Sequence, residues 1–149
     1  MLRSGERKKI LAKLEEQFGI EDLRYALFRM GRERINGYSG HLSIQEIITL
    51  AQVANIDKIG LYLMKEDDII RLGFDATQTL GPVITKDVFD LDGKQAAAWM
   101  AGYDLEIKGA PKGILVMRHN GDYLGCAKSN GEKIINHVPK ERRIKNRNI

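Results

Sequence analysis

One stretch, Gly113 to Arg143, reading GILVMRHNGDYLGCAKSNGEKIINHVPKERR, limits what this chain can fold into more than any other. Its apolar runs are interrupted by Asn120-Gly121 and Asn130-Gly131, dipeptides that supply the positive φ a tight hairpin needs, so it predicts three short antiparallel strands. Val138-Pro139 is expected to stop the last ladder, because proline has no N–H to offer it. Lys140, Arg142 and Arg143 then leave the sheet together. Cations held at the rim of a rigid sheet are suited to phosphate groups.

The charge distribution of the whole chain points the same way. Of a net charge of +4 over 149 residues, the segment from Lys128 onward carries seven Lys or Arg against two Glu. A second basic run (Arg3, Arg7, Lys8, Lys9, Lys13, Arg24, Arg29, Arg32, Arg34) lies near the start, and the centre is acidic (Asp67, Asp68, Asp75, Asp87, Asp90, Asp92). Such asymmetry is expected of a protein that turns one face to a polyanion, although a charge run alone is as compatible with plain solvated surface. No apolar run approaches the roughly 20 residues that span a bilayer, and the amino terminus lacks a signal-peptide apolar region. A cytoplasmic protein without membrane contact is therefore expected.

Taken in order, the chain opens with a helix in which Ser4 is placed to cap, Ile10, Leu11, Leu14 and Phe18 form one stripe, and Gly19 ends it. Leu23 to Met30 reads as a strand or short helix, and Gly31 to Gly40 as a strand followed by a glycine-rich loop. Ser43 and Glu46 form a capping box for the next helix, with Leu42 and Ile47 as its staple, Ile44, Ile47, Ile48 and Ala51 as its buried face, and an end near Asn55. Lys58 to Met64 and Ile69 to Phe74 predict a hairpin, and the domain boundary is placed at residue 60. Two short helices follow, each announced by an Asp three residues before a Gln: Asp75 with Gln78, and Asp92 with Gln95. Val83 to Leu91 and Tyr103 to Ile107 supply strands. The expected fold is α+β: a small α/β domain over 1–60, then over 61–149 a mixed β pseudo-barrel with short helices and a basic tail.

These residues carry a resemblance. GPVITKDVFDLDGKQAAAWMAGYDLE, GILVMRHNGDYLGCA and NHVPKERRI together resemble the PUA-like carboxyl-terminal domain of Nop/Sun-type RNA cytosine-5 methyltransferases, with Gly102, Gly125, Pro139, Lys140, Arg142 and Arg143 at matching positions. The first half is similar, more weakly, to the domain that precedes the PUA module in the Nip family of ribosome-biogenesis proteins. The resemblance implies a PUA-like barrel and a structured RNA partner, rRNA or tRNA.

The methyltransferases themselves need a glycine-rich loop for S-adenosylmethionine and paired catalytic cysteines; this chain has neither. Cys126 is expected to be a buried structural thiol. His41, His119 and His137 lack metal-ligand spacing, so neither a catalytic set, a metal nor a cofactor is expected. His137 reads equally as a neutral hydrogen-bonding group or as a base contact. Trp99 is expected in the core, Tyr103 and Tyr123 either reach RNA or cover the barrel mouth, and Tyr38 is the ring expected to be exposed. The expectation is a non-catalytic RNA-binding protein of ribosome biogenesis or RNA modification, using Lys128, Lys133, His137, Lys140, Arg142 and Arg143. The alternative is an adaptor whose acidic face, Asp67 to Asp92, holds an RNA methyltransferase or a ribosome-assembly factor.

Overall fold

The computed structural model describes residues 1–40, 43–53 and 60–145. It begins with helix α1 (Ser4–Phe18), which buries Ile10, Leu14 and Phe18 and ends at Gly19 in the left-handed conformation, φ 68°. The N-cap is Arg3 without a side-chain bond, so Ser4 lies inside the helix and does not cap it. Four antiparallel strands follow, β1 (Ala26–Met30), β2 (Arg34–Tyr38), β3 (Leu61–Glu66) and β4 (Ile70–Leu72), hydrogen-bonded in that order. Gln17 of α1 covers the open edge at β4: its Nε2 donates to the Ile70 carbonyl at 3.0 Å, and its Oε1 accepts from the Ile70 N–H at 2.9 Å. This satisfies groups that an edge strand would otherwise present for pairing.

Helix α2 (Ile44–Val53) connects β2 to β3. Its capping box forms as expected, the Glu46 N–H donating to Ser43 Oγ at 3.1 Å and the Ser43 N–H to Glu46 Oε1 at 3.4 Å. Of the face expected to be buried, Ile47 is buried and Ile48 is 47% exposed; Leu42, the side chains of Ile44 and Ala51, and the predicted end near Asn55 lie outside the described residues.

The boundary placed at residue 60 falls between β2 and β3, which are paired neighbours of one sheet. By strand pairing the first sheet extends to Leu72, and the second begins at β5 (Val88–Asp90). Helix α3 (Phe74–Leu80) connects the two and runs on into a 3-10 turn at Gly81–Val83. Its N-cap is Gly73, so Asp75 sits inside the first turn and does not cap it.

The second sheet has the order β5-β7-β8-β9-β6, with β6 (Leu105–Glu106), β7 (Gly113–His119), β8 (Asp122–Ser129) and β9 (Lys133–Ile135). Its pairing is antiparallel except for β5 beside β7. Between β5 and β6 lies α4 (Gly93–Met100), closed by the predicted Asp92–Gln95 capping box. The Asn120-Gly121 turn has positive φ at both residues, 47° and 83°. The second hairpin turns one residue later than expected: Gly131, φ 93°, takes the first loop position, while Asn130 Oδ1 accepts from the N–H groups of Glu132 and Lys133.

Strands β7 and β8 are buried on both faces, which explains their unbroken apolar runs. Leu115, Met117 and Ala127 join a core with Trp99, Phe74, Leu91 and Leu105 beneath α4. The alternate residues Val116 and Cys126 join the core formed by α1 and the first sheet. With period-2 alternation, one hairpin thus serves as the wall between two cores. The result is an α+β fold whose second sheet curls into a PUA-like half-barrel.

Candidate nucleic-acid interface

The chain leaves the second sheet at Ile135, four residues before Pro139, and a single side chain sets its direction. Asn136 Nδ2 donates to the carbonyls of Trp99 and Tyr103 at 2.8 and 2.9 Å, its Oδ1 accepts from the Val138 N–H at 2.8 Å, and its own N–H donates to Asp104 Oδ1 at 2.7 Å. The exit is thereby tied to the end of α4. Pro139, φ −59°, then caps a 3-10 turn, Lys140–Arg142, rather than ending the strand. Asparagine is a common turn residue, and nothing local in the sequence shows that three of its partners, Trp99, Tyr103 and Asp104, lie more than 30 positions away.

The structure separates the six expected site residues. Arg142 Nη2 meets Asp75 Oδ2 at 2.9 Å and lines a cavity of about 320 Å³ between the two sheets. His137 and Pro139 stand at the same cavity, and Lys140 is exposed on the same turn. Lys128 borders an adjoining hollow of about 150 Å³. Arg143 is turned back: its Nε donates to the Val138 carbonyl at 3.0 Å, and its side chain lies so close over Gly102, φ 99°, that a Cβ there would come within 2.8 Å of Arg143 Cδ. Lys133 is held at the other edge by Asp104 at 3.5 Å.

Three cations that sequence reasoning did not assign to the site complete the cleft. Arg34 on β2 is directly opposite Lys65 on β3, and Lys65 is opposite Arg71 on β4, so the three share one face of the first sheet. A bulge sets Leu63 and Met64, both fully buried, against Ile35 alone; it brings Tyr62 onto the same face as Lys65. Arg34 lies 4.4 Å above the Tyr62 ring. Arg34, Tyr62 and Arg71 line the larger cavity, Lys65, Arg71 and Lys128 the smaller, and Arg71 belongs to both. The only signal in the sequence was alternation of these cations with apolar residues, and their alignment depends on pairing across separate strands.

The local field is positive. Partial burial lowers the His137 imidazole pKa below the ordinary range and the charges of Arg71 and Lys128 lower it further, against the opposing pull of Asp104. Burial raises the Tyr62 phenol, while Arg34, Arg71 and Lys65 pull it back. The amino-terminal basic run is partly spent inside the fold: Arg7 donates to the carbonyls of Tyr25 and Leu23, and Lys13 and Arg29 pair with Glu66 at 2.9 and 3.3 Å. Trp99 is fully buried, Tyr123 packs against the first core, and Tyr38 is half-buried; Tyr103, at 59%, is the exposed ring. His41 lies outside the described residues.

Cys126 is buried beside the larger cavity, and burial pushes its thiol up to about 12, outweighing the Leu72 backbone hydrogen bond and the charge of Arg71 that lower it. Alkylation with iodoacetamide at pH 8 should accordingly be at least about a hundredfold slower in the native protein than in urea, since the thiolate is the nucleophile. Equal rates in the two conditions would show an open, reactive thiol. Among the described residues no group of three or more His, Cys, Asp or Glu is placed to hold a metal ion, and no helix is long and apolar enough to cross a membrane.

Residues 86–144 match the family model described as the methyltransferase RsmF PUA domain. None of the curated proteins compared matches the chain. The matched segment runs from the approach to β5, through α4 and the β7–β8–β9 meander, to the basic exit turn. Similarity to a PUA domain points to RNA binding, in keeping with a cleft walled by cations. From residue 86 to residue 144, then, this chain is similar to the PUA domain of the RsmF-type methyltransferases, as its hairpins and its Pro-Lys-x-Arg-Arg exit led one to expect.

Proposed function

We propose that the chain is a non-catalytic RNA-binding protein of the cytoplasm, acting on structured RNA, rRNA or tRNA, in ribosome biogenesis or RNA modification. The observation that carries this reading is that Arg142 and Lys128, both from the PUA-like half, border two adjoining hollows between the sheets that share Arg71. Binding works by neutralising phosphates and by fitting the shape of the RNA rather than by reading base edges in a groove. Burial and raised pKa make Cys126 unsuited to nucleophilic work, which supports a binding role over catalysis. The likeness of the first half to the Nip-family domain, and a partner such as an RNA methyltransferase or ribosome-assembly factor, belong to the same proposal. The acidic face offers less for a pure adaptor, because Asp75 and Asp90 are paired with Arg142 and Arg118 and Asp92 caps α4.

Electrophoretic mobility of a structured RNA at 50 and 200 mM salt tests this reading. A shift at micromolar protein that weakens steeply at the higher salt is expected, since each neutralised phosphate releases counterions. Absence of any shift at the lower salt would overturn it.

A further inference from the structure

The cation row on the first sheet is costly unless something uses it. Arg34, Lys65 and Arg71 are direct cross-strand neighbours, and like charges placed opposite one another on a sheet destabilise it. Among the described residues Arg34, Arg71 and Lys128 make no ion pair; Lys65 meets Glu33 at 3.3 Å with both side chains substantially exposed, a weak contact. The remaining carboxylates at the two hollows are Asp67, Asp75, which already holds Arg142, and Glu141. Adjacent strands lie about 4.8 Å apart, so the three cations span roughly 10 Å across the sheet, and Lys128 of β8 continues them past Arg71 onto the second sheet.

The cleft also has a shape and a stacking surface. A cavity of about 320 Å³ lies at the lower end of the roughly 300–1,000 Å³ typical of pockets that take one small ligand, and a duplex presents no such small group to fill it. Along its wall, Arg34 stacked on Tyr62 at 4.4 Å offers the outer plane of a guanidinium, a surface on which unpaired RNA bases stack.

We propose that an unpaired segment of the bound RNA crosses the seam between the two sheets, its phosphates running along Lys128, Arg71 and Lys65 and one base entering the cavity against the Arg34–Tyr62 stack. This rests on the RNA-binding reading above and makes the first sheet half of the site rather than a support for the PUA-like half. His137 at the cavity rim supplies a hydrogen bond to the entering nucleotide.

The test compares an RNA hairpin carrying a single-stranded 3′ extension with the same hairpin blunt-ended, using the full chain and its Arg34→Gln/Lys65→Gln/Arg71→Gln variant. The variant should lose roughly tenfold or more in affinity for the extended RNA, with the salt slope falling by about 0.7 for each lost single-strand contact, while affinity for the blunt hairpin barely moves. Its melting temperature should hold or rise as the repulsion is relieved, an outcome that a structural role for the row would reverse. Should the triple variant fail to fold, Arg71→Gln alone carries the same expectation at about one contact. Full affinity and slope for the extended RNA in a folded variant would overturn the inference and leave the RNA-binding reading standing, as would equal losses on both RNAs overturn the unpaired occupant. Failure of the unaltered protein to bind either RNA would remove the reading and the inference together.

Discussion

Replacing Trp99 with alanine should destabilise the protein by about 3–5 kcal/mol, a large part of the roughly 5–15 kcal/mol that holds a domain folded. The indole is fully buried in the core beneath α4, among Phe74, Leu91, Leu105 and Met117, and its Nε1–H donates to the Leu124 carbonyl at 2.8 Å. Alanine removes the ring's burial, leaves a cavity in the second core and strands that carbonyl. Trp99→Phe keeps most of the apolar volume and loses the hydrogen bond, for which a smaller cost of about 1–3 kcal/mol is expected. Urea unfolding midpoints measure both. Because the ring lines neither hollow of the cation-walled cleft, Trp99→Phe should leave RNA affinity unchanged below its melting point. Lost binding at full stability would instead make Trp99 a base-stacking residue.

Arg142→Ala and Arg143→Ala should part company, the first losing RNA affinity and the second losing stability. Arg142 is half-exposed at the cleft, and its ion pair with Asp75, also partly exposed, is worth only about 0.2–1 kcal/mol. Its removal should therefore barely move the melting temperature, while weakening binding about tenfold and flattening the salt slope by about 0.7–0.9. Asp75→Asn, which frees Arg142, should tighten binding. Arg143 holds the Val138 carbonyl and packs over Gly102, so its truncation opens the junction between the exit turn and the end of α4. A loss of about 1 kcal/mol, or roughly 2–4 °C in Tm for a chain of this size, is expected with affinity nearly intact. Salt-titrated isotherms and thermal melts on the two single variants separate the roles. If Arg143→Ala lost affinity at an unchanged Tm, both arginines would be phosphate ligands, as the sequence alone suggested.

What the sequence determined by itself is what neighbours along the chain determine. The Asn120-Gly121 turn, the capping boxes at Ser43–Glu46 and Asp92–Gln95, and the end of α1 at Gly19 each depend on residues at most five positions apart, whose preferred backbone angles and hydrogen bonds act before any tertiary contact. The same rules misplace the caps of α1 and α3. The Gly73 N–H bonds to the Leu63 carbonyl at 2.8 Å, and with its backbone fixed by β3 the helix begins at Phe74, carrying Asp75 past the capping position.

Tertiary structure alone decided which strands share a sheet and which cations line the cleft. That β3 and β4 pair with β2 and so belong to the first sheet depends on which strands meet, and short strands of similar composition do not encode their partners. The alignment of Arg34, Lys65 and Arg71 depends further on the register and on the bulge at Leu63 and Met64, since a one-residue slip sends a side chain to the opposite face. Arg142 and Arg143 differ for the same reason: two adjacent, chemically identical residues reach Asp75, 67 positions away, or the nearby Val138 carbonyl, according to the path that Asn136 imposes on the exit. Local preference acts through bonds and short loops and survives in any fold, whereas a charge becomes a ligand, a clamp or a partner only when packing brings distant chain segments to within a few ångströms of it.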